Sequence, residues 1–176
     1  MNNQKEKERS ELHKTIWSIA NDLRWSVDWW DFKSYVLWML FYRFISENLT
    51  SFINELERSA WNPDFDYAKL SDEEAEVARD QVLLAKGFYI LPSELFQNIV
   101  KVAKTDDNLN VTLSTIFKNI ENSAKWMASE DDLNWLFDDI DVNSKKLWNT
   151  TVDRNKKLAK LLETIWSLNL WYADNT

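Results

Sequence analysis

DLRWSVDWWDFKSYVLWMLFYRFISENL, residues 22–49, decides the fold. Within it Val36, Leu37, Leu40, Phe41, Phe44 and Ile45 recur at i, i+1, i+4, i+5, i+8 and i+9, and Leu49 continues the same face. That is the 3.6-residue period of a helix with one broad apolar side. Lys33, Ser34, Arg43, Glu47 and Asn48 fall largely on the other side. The stretch predicts the central helix of a packed helical domain.

Outward from this helix the same period recurs. A first helix is expected from Lys5 to Leu23, turned inward through Leu12, Ile16, Ile19, Ala20 and Leu23. Asp28 or Asp31 can cap the central helix, which can continue through Phe52, Ile53 and Leu56 to Ser59. Asn62-Pro63-Asp64 predicts a turn, with Phe65 and Tyr67 anchoring the loop on the core. Ser71-Asp72-Glu73-Glu74 is a capping box opening a helix to Lys86, with Gly87 as its C-terminal cap.

Phe88-Tyr89-Ile90-Leu91 is too short for a helix and precedes Pro92, so it is expected extended. Helices then follow from Ser93 (Phe96, Ile99, Val100, Val102 and Ala103 inward), from Asn110 to Lys125, from Ser129-Glu130-Asp131-Asp132, and from Thr151 to Leu168. The sum is one all-α domain over residues 1–176, of about seven helices, with at most a minor extended segment.

Composition narrows the chemistry. Without cysteine there is no disulfide and no thiolate metal site, and the single histidine, His13, leaves no cluster for a metal or a His-based triad. One glycine cannot build a nucleotide-binding GxGxxG or a P-loop. No apolar run approaches the ~18 residues that span a bilayer, and the charged start MNNQKEKERSELHK is unlike a signal peptide. A cytoplasmic location and no membrane partner are the expectation. Residues with catalytic, cofactor-binding or metal-ligating roles are expected to be absent from this chain.

The formal charge of −8 argues against a free-standing DNA-binding domain. The one basic stretch is Arg154, Lys156, Lys157 and Lys160, with Lys145 and Lys146 nearby. Arg154, Lys157 and Lys160 are three apart and so share a helix face. Such runs usually solvate a helix. The functional alternative is a strip that faces phosphate or a partner subunit, made of Lys145, Lys146, Arg154, Lys157 and Lys160. The acidic clusters Asp72-Glu73-Glu74, Asp106-Asp107, Glu130-Asp131-Asp132 and Asp138-Asp139 read as helix-start charges, and none has EF-hand spacing. Asn62-Pro63-Asp64-Phe65 lies between two helices and reads as a turn.

Glycine is the anomaly. An average chain of this length has roughly twelve; this one has one glycine and eleven tryptophans. Trp61, Trp126, Trp148 and Trp171 stand where helices end or turns are expected, positions that favour glycine because a positive φ costs it nothing. Two readings stand: a Trp-rich protein with buried indoles and negative φ at these positions, or tryptophans that mostly occupy glycine positions, with positive φ as the signature.

The block at 22–49, together with GFYILPSELF at 87–96, resembles the N-terminal helical domain of the modification (M) subunit of type I restriction–modification systems. The family's "LW…AN.LR" helix is matched by Thr15-Ile16-Trp17-Ser18-Ile19-Ala20-Asn21-Asp22-Leu23-Arg24. Its "F..Y.L..LF.R..S" helix is matched by Phe32, Tyr35, Leu37, Leu40, Phe41, Arg43 and Ser46, and a "G.FI.P..L" element follows. The family has glycine where this chain has Trp25 and Trp38, and Trp29 looks like another such position. Trp17 and Trp30 are expected to be genuine.

The resemblance implies an assembly and DNA-clamping domain. The parent subunit, an adenine-specific DNA methyltransferase, would move a methyl group from S-adenosylmethionine to adenine N6. Its cofactor loop and Asn-Pro-Pro-Tyr/Phe motif would lie beyond Thr176. The implied partners are a specificity subunit, a second modification subunit, a restriction subunit and DNA. The residues alone leave open a stand-alone helical module that binds a protein through exposed aromatics.

Overall fold

The computed structural model describes residues 29–127, 142–143 and 150–168, with the single positions 10 and 14. Six α-helices and two 3-10 turns form among these, and no strand. They are α1 (Trp29–Ser59), a turn at Tyr67–Lys69, α2 (Asp72–Glu76), α3 (Arg79–Lys86), a turn at Pro92–Glu94, α4 (Phe96–Val102), α5 (Leu109–Ser123) and α6 (Thr151–Ser167). The all-α expectation holds. The expected first helix lies outside the described residues save Ser10 and Lys14, both helical, and the short helix expected from Ser129 lies outside them entirely.

α1 is the axis. Its 31 residues span about 46 Å at 1.5 Å per residue, and it packs against α4 and α6, while α6 also packs on α4 and α5. The buried side is Tyr35, Val36, Met39, Tyr42, Ile45, Leu49 and Ile53. Val36, Ile45 and Leu49 of the expected face are buried and Leu40 and Phe41 pack against the core, but its edge is corrected: Leu37 and Phe44 are 60% and 43% exposed, and Arg43 and Ser46 lie inside. Periodicity misplaced the stripe because residues 35–45 are apolar nearly all round, so polar contacts set the rotation of the helix.

Arg43 shows how. Its Nη1 donates to Ile165 O at 2.5 Å and Leu168 O at 2.8 Å, with Trp166 O at 3.4 Å, and its Nε donates to Glu47 Oε1 at 2.7 Å. The last turn of any helix leaves carbonyls without intrahelical partners. A cation placed there also meets the negative end of the helix dipole. Arg43 therefore caps α6 from the middle of α1, and burying a charge is tolerable because acceptors surround it.

Residues 87–95 cross the core without an α-helix of their own, so their polar groups need partners from elsewhere. Tyr89 N donates to Ser123 Oγ at 2.9 Å, Ile90 O accepts from the Tyr67 hydroxyl at 2.8 Å, and Glu94 O accepts from the Tyr42 hydroxyl. Ser93 N and Oγ donate to the two Asp72 oxygens at 3.0 and 2.7 Å. Asn98 Nδ2 donates to Pro92 O at 2.8 Å and to Ala68 O at 2.9 Å, holding both 3-10 turns. The expected extended geometry appears at Leu91, with φ −64° and ψ 151° before Pro92. The next helix starts at Phe96, three residues later than expected, because Pro92–Glu94 closes a 3-10 turn first.

The caps follow the sequence closely. Ser71 and Glu74 form the reciprocal box, and Gly87 ends α3 at φ 78° with its N–H on Leu83 O. The helix expected from Ser71 to Lys86 is two pieces, since Ala78 N bonds Ala75 O, three residues back, and tightens the chain at Val77. α5 and α6 bury the expected Leu113, Ile116, Phe117 and Ile120, and Leu158, Leu161, Leu162 and Ile165. Phe65 packs against this core and Tyr67 is buried, as the 62–64 turn implied.

Trp61 (φ 68°) and Trp126 (φ 69°) have left-handed backbones. Asn62 N bonds Glu57 O and Trp61 N bonds Arg58 O, the paired bonds of a Schellman cap with Trp61 at its left-handed C′ position. Met127 N bonds Ala124 O, so Trp126 is the third residue of a tight turn, where positive φ calls for glycine. Trp148 and Trp171 lie outside the described residues.

Two predictions follow from the packing. Arg43→Met should cost about 3–5 kcal/mol in urea denaturation, because it strands Glu47 and the end of α6, and Arg43→Lys should restore only part of that. An unchanged midpoint in the Met variant would show that α6 does not depend on the guanidinium. Burial pushes the Tyr42 and Tyr67 hydroxyls above their ordinary value. Their contribution is then complete below pH ~10, where an unfolded tyrosine keeps its proton, and is lost above it at about 1.4 kcal/mol per pH unit for each. Stability measured from pH 9 to 11.5 should hold up to pH ~10 and fall above it, and Tyr42→Phe should remove about half of that fall.

Candidate partner and DNA interface

α6 carries the basic stretch. Its start is fixed by Thr150, whose Oγ1 accepts from Asp153 N at 3.1 Å. Beyond that cap the helix buries Arg154, Asn155, Leu158, Ala159, Leu161, Leu162 and Ile165. Arg154 is four residues before Leu158 and seven before Leu161, so it belongs to the core face and is only 7% exposed. Its Nε is buried without a hydrogen-bond partner. The strip expected through Arg154, Lys157 and Lys160 is therefore not one solvent face.

The structure instead exposes Lys156 and Lys160, one turn apart. Lys157 is half-buried, and desolvation holds its amine below the ordinary lysine value against the pull of Asp153. Lys145 and Lys146 lie outside the described residues. The i, i+4 relation of Arg154 to the apolar stripe is a signal already present in the sequence, and grouping the cations by charge alone passed over it.

Asn155 was also passed over. Its Oδ1 accepts from Asn110 N at 3.0 Å, and its Nδ2 donates to Asp107 O. Asn110 Nδ2 in turn reaches Asn143 Oδ1. These asparagines join the start of α5 to the first turn of α6, so the surface bearing the lysines is held rigidly against the core.

Beside the Arg43 cap lies a cavity of about 180 Å³ lined by Ser46, Glu47, Thr50, Ser51, Gln97 and Trp166. Glu47 Oε1 is held by Arg43, while Oε2 is buried with no partner. Among the described residues no group of three His, Cys, Asp or Glu is placed to hold a metal ion, and no helix is long and apolar enough to cross a membrane. Asp72-Glu73-Glu74 occupies the first turn of α2, and Asp106 accepts from Asn108 N and the Thr112 hydroxyl just before α5. Both clusters act at helix starts.

The arrangement is a helical scaffold with a structural cap at its centre. The profile described as the HsdM N-terminal domain matches residues 12–165. The chain belongs to the HsdM N-terminal domain family. It is 43% identical over 177 residues to the type I restriction enzyme MpnII methylase subunit of Mycoplasma pneumoniae, a match spanning 97% of this chain and 32% of that subunit. The fold is similar to the crystal structure of the type I restriction-modification system methyltransferase subunit from Streptococcus thermophilus. There the TM-score is 0.72 at 25% identity, over 93% of this chain and 35% of that one. The chain thus spans about a third of the length of the relatives it matches.

The buried position of Arg154 gives a stability prediction. Arg154→Met keeps the apolar stem and removes the partnerless Nε, so the urea midpoint should hold or rise by up to ~1 kcal/mol equivalent. A loss above ~2 kcal/mol would mark the guanidinium as a structural anchor.

Proposed function

We propose that this chain is the amino-terminal assembly and DNA-clamping domain of a modification subunit. The parent would transfer a methyl group from S-adenosylmethionine to adenine N6 in DNA. The observation that carries the reading is coverage: nearly all of this chain aligns with about a third of a methylase subunit, both in sequence and in fold. The domain supplies a rigid helical body, and the methyl transfer belongs to other parts of the parent. Its partners are a specificity subunit and a second modification subunit, with a restriction subunit joining the full complex. The site of action is cytoplasmic DNA.

Within this reading the exposed part of α6 is the phosphate- or partner-facing strip. Lys156 and Lys160 lead it, Lys157 flanks it, and Lys145 and Lys146 extend it in sequence. Arg154 supports it from inside. A chain of net charge −8 cannot hold DNA by its whole surface. A local strip within an assembly, with other subunits contributing most of the cations, fits that balance.

Two measurements test the proposal. Calorimetric titration of residues 1–176 with S-adenosylmethionine should show no binding, and micromolar affinity would overturn the assignment of the cofactor to the rest of the subunit. In the assembled full-length complex, Lys156→Gln with Lys160→Gln should weaken DNA binding about equally on all sequences. The slope of log K against log salt should then fall by roughly 1.8, at ~0.9 per phosphate contact. An unchanged slope removes α6 from the DNA interface.

A further inference from the structure

Three described residues have positive φ: Gly87, Trp61 and Trp126. Gly87 is the only glycine in the chain. Every other left-handed position among the described residues is thus a tryptophan. This is not how proteins fill such positions. Outside glycine, left-handed backbone goes mainly to asparagine, aspartate and histidine, whereas a bulky side chain there is a genuine outlier. Asparagine and aspartate are plentiful in this sequence, and neither occupies these sites.

The two sites are unrelated in construction. Trp61 is the C′ residue of a Schellman cap, fixed by the bonds of Trp61 N and Asn62 N to Arg58 O and Glu57 O. Trp126 is the third residue of a turn closed by Met127 N on Ala124 O. Each motif selects glycine for its own backbone reason. In neither place does burial compensate, since the two residues are 94% and 93% exposed. Glycine-to-tryptophan changes arising one by one would each have to survive the strain. One codon with two readings changes every such position at once.

We propose that residues 61 and 126 are glycine in the protein its host makes, specified by UGA. This codon is a stop in the common genetic code, and reassigned tRNAs deliver it as tryptophan in some lineages and as glycine in others. The host of this chain belongs to the second kind. The inference bears on function directly. The most exposed aromatic side chains described here cease to be a docking surface, and the reading as a module that binds a protein through exposed aromatics loses its two best residues.

The gene and the native protein test this together. Codons 61 and 126 should be UGA, with UGG at Trp17 and Trp30. In protein isolated from host cells, the tryptic peptide of residues 59–69 and the one beginning at residue 126 should be lighter than tryptophan requires at those two positions. UGG at 61 and 126, or tryptophan mass there in the native protein, overturns the proposal. A recombinant chain adds a physical readout. Trp61→Gly and Trp126→Gly should each raise the folding equilibrium constant by at least about fivefold. Trp61→Ala should gain much less, because alanine shares the left-handed penalty. Equal gains from alanine and glycine at residue 61 would show that relief of backbone strain is not the cause.

Discussion

A segment that crosses a protein core without an α-helix must find partners for its backbone among side chains, and residues 87–95 impose that requirement here. The response is distributed over the whole fold. Tyr42 reaches in from α1, Tyr67 from the first 3-10 turn, Asp72 from α2, Asn98 from α4 and Ser123 from α5. Each donates to or accepts from this one segment. Helices that share no long interface are therefore coupled through it, and α1 must present its tyrosine face inward whatever its apolar pattern would prefer.

Arg43 imposes a second constraint of the same kind. A helix end brought into the core leaves carbonyls unpaired, and the guanidinium supplies donors in a fixed fork that lysine lacks. Trp166 lies against the guanidinium at 5.3 Å, and Tyr42 meets Phe96 and Phe117 edge-on at 5.3 and 5.5 Å. Polar groups orient the elements and aromatic packing fills between them. Fully burying a large apolar side chain contributes roughly 1.5–3 kcal/mol, so the aromatic layer supplies much of the stabilisation and the polar contacts supply direction.

This division explains what could be read in the sequence. Helix caps were legible at Ser71 and Gly87 because capping is local chemistry. The faces of α5 and α6 were legible because their apolar stripes are narrow. The face of α1 was not, since residues 35–45 offer two competing stripes and the choice lies with Arg43, Ser46 and Tyr42, whose partners are distant in sequence. The candidate strip failed at Arg154 for a different reason. Grouping residues by charge ignored that this arginine also falls on the stripe of Leu158 and Leu161. The residues that carried the family resemblance, Tyr35, Arg43 and Ser46 with Gly87 and Pro92, prove to be structural ones. Ser46 Oγ, for example, accepts from Phe96 N at the start of α4. The motif marks how the scaffold is tied together.

The Arg43 cap joins residues 122 positions apart. At ~5–20 residues per second, Arg43 waits roughly 6–24 s after its own synthesis before Ile165 exists to receive it. Throughout that interval the Arg43 guanidinium lacks the carbonyls of Ile165 and Leu168 and the ring of Trp166. The domain is thus closed from its far end during translation, and the long aromatic helix that anchors the fold is also the surface most in need of protection on the ribosome.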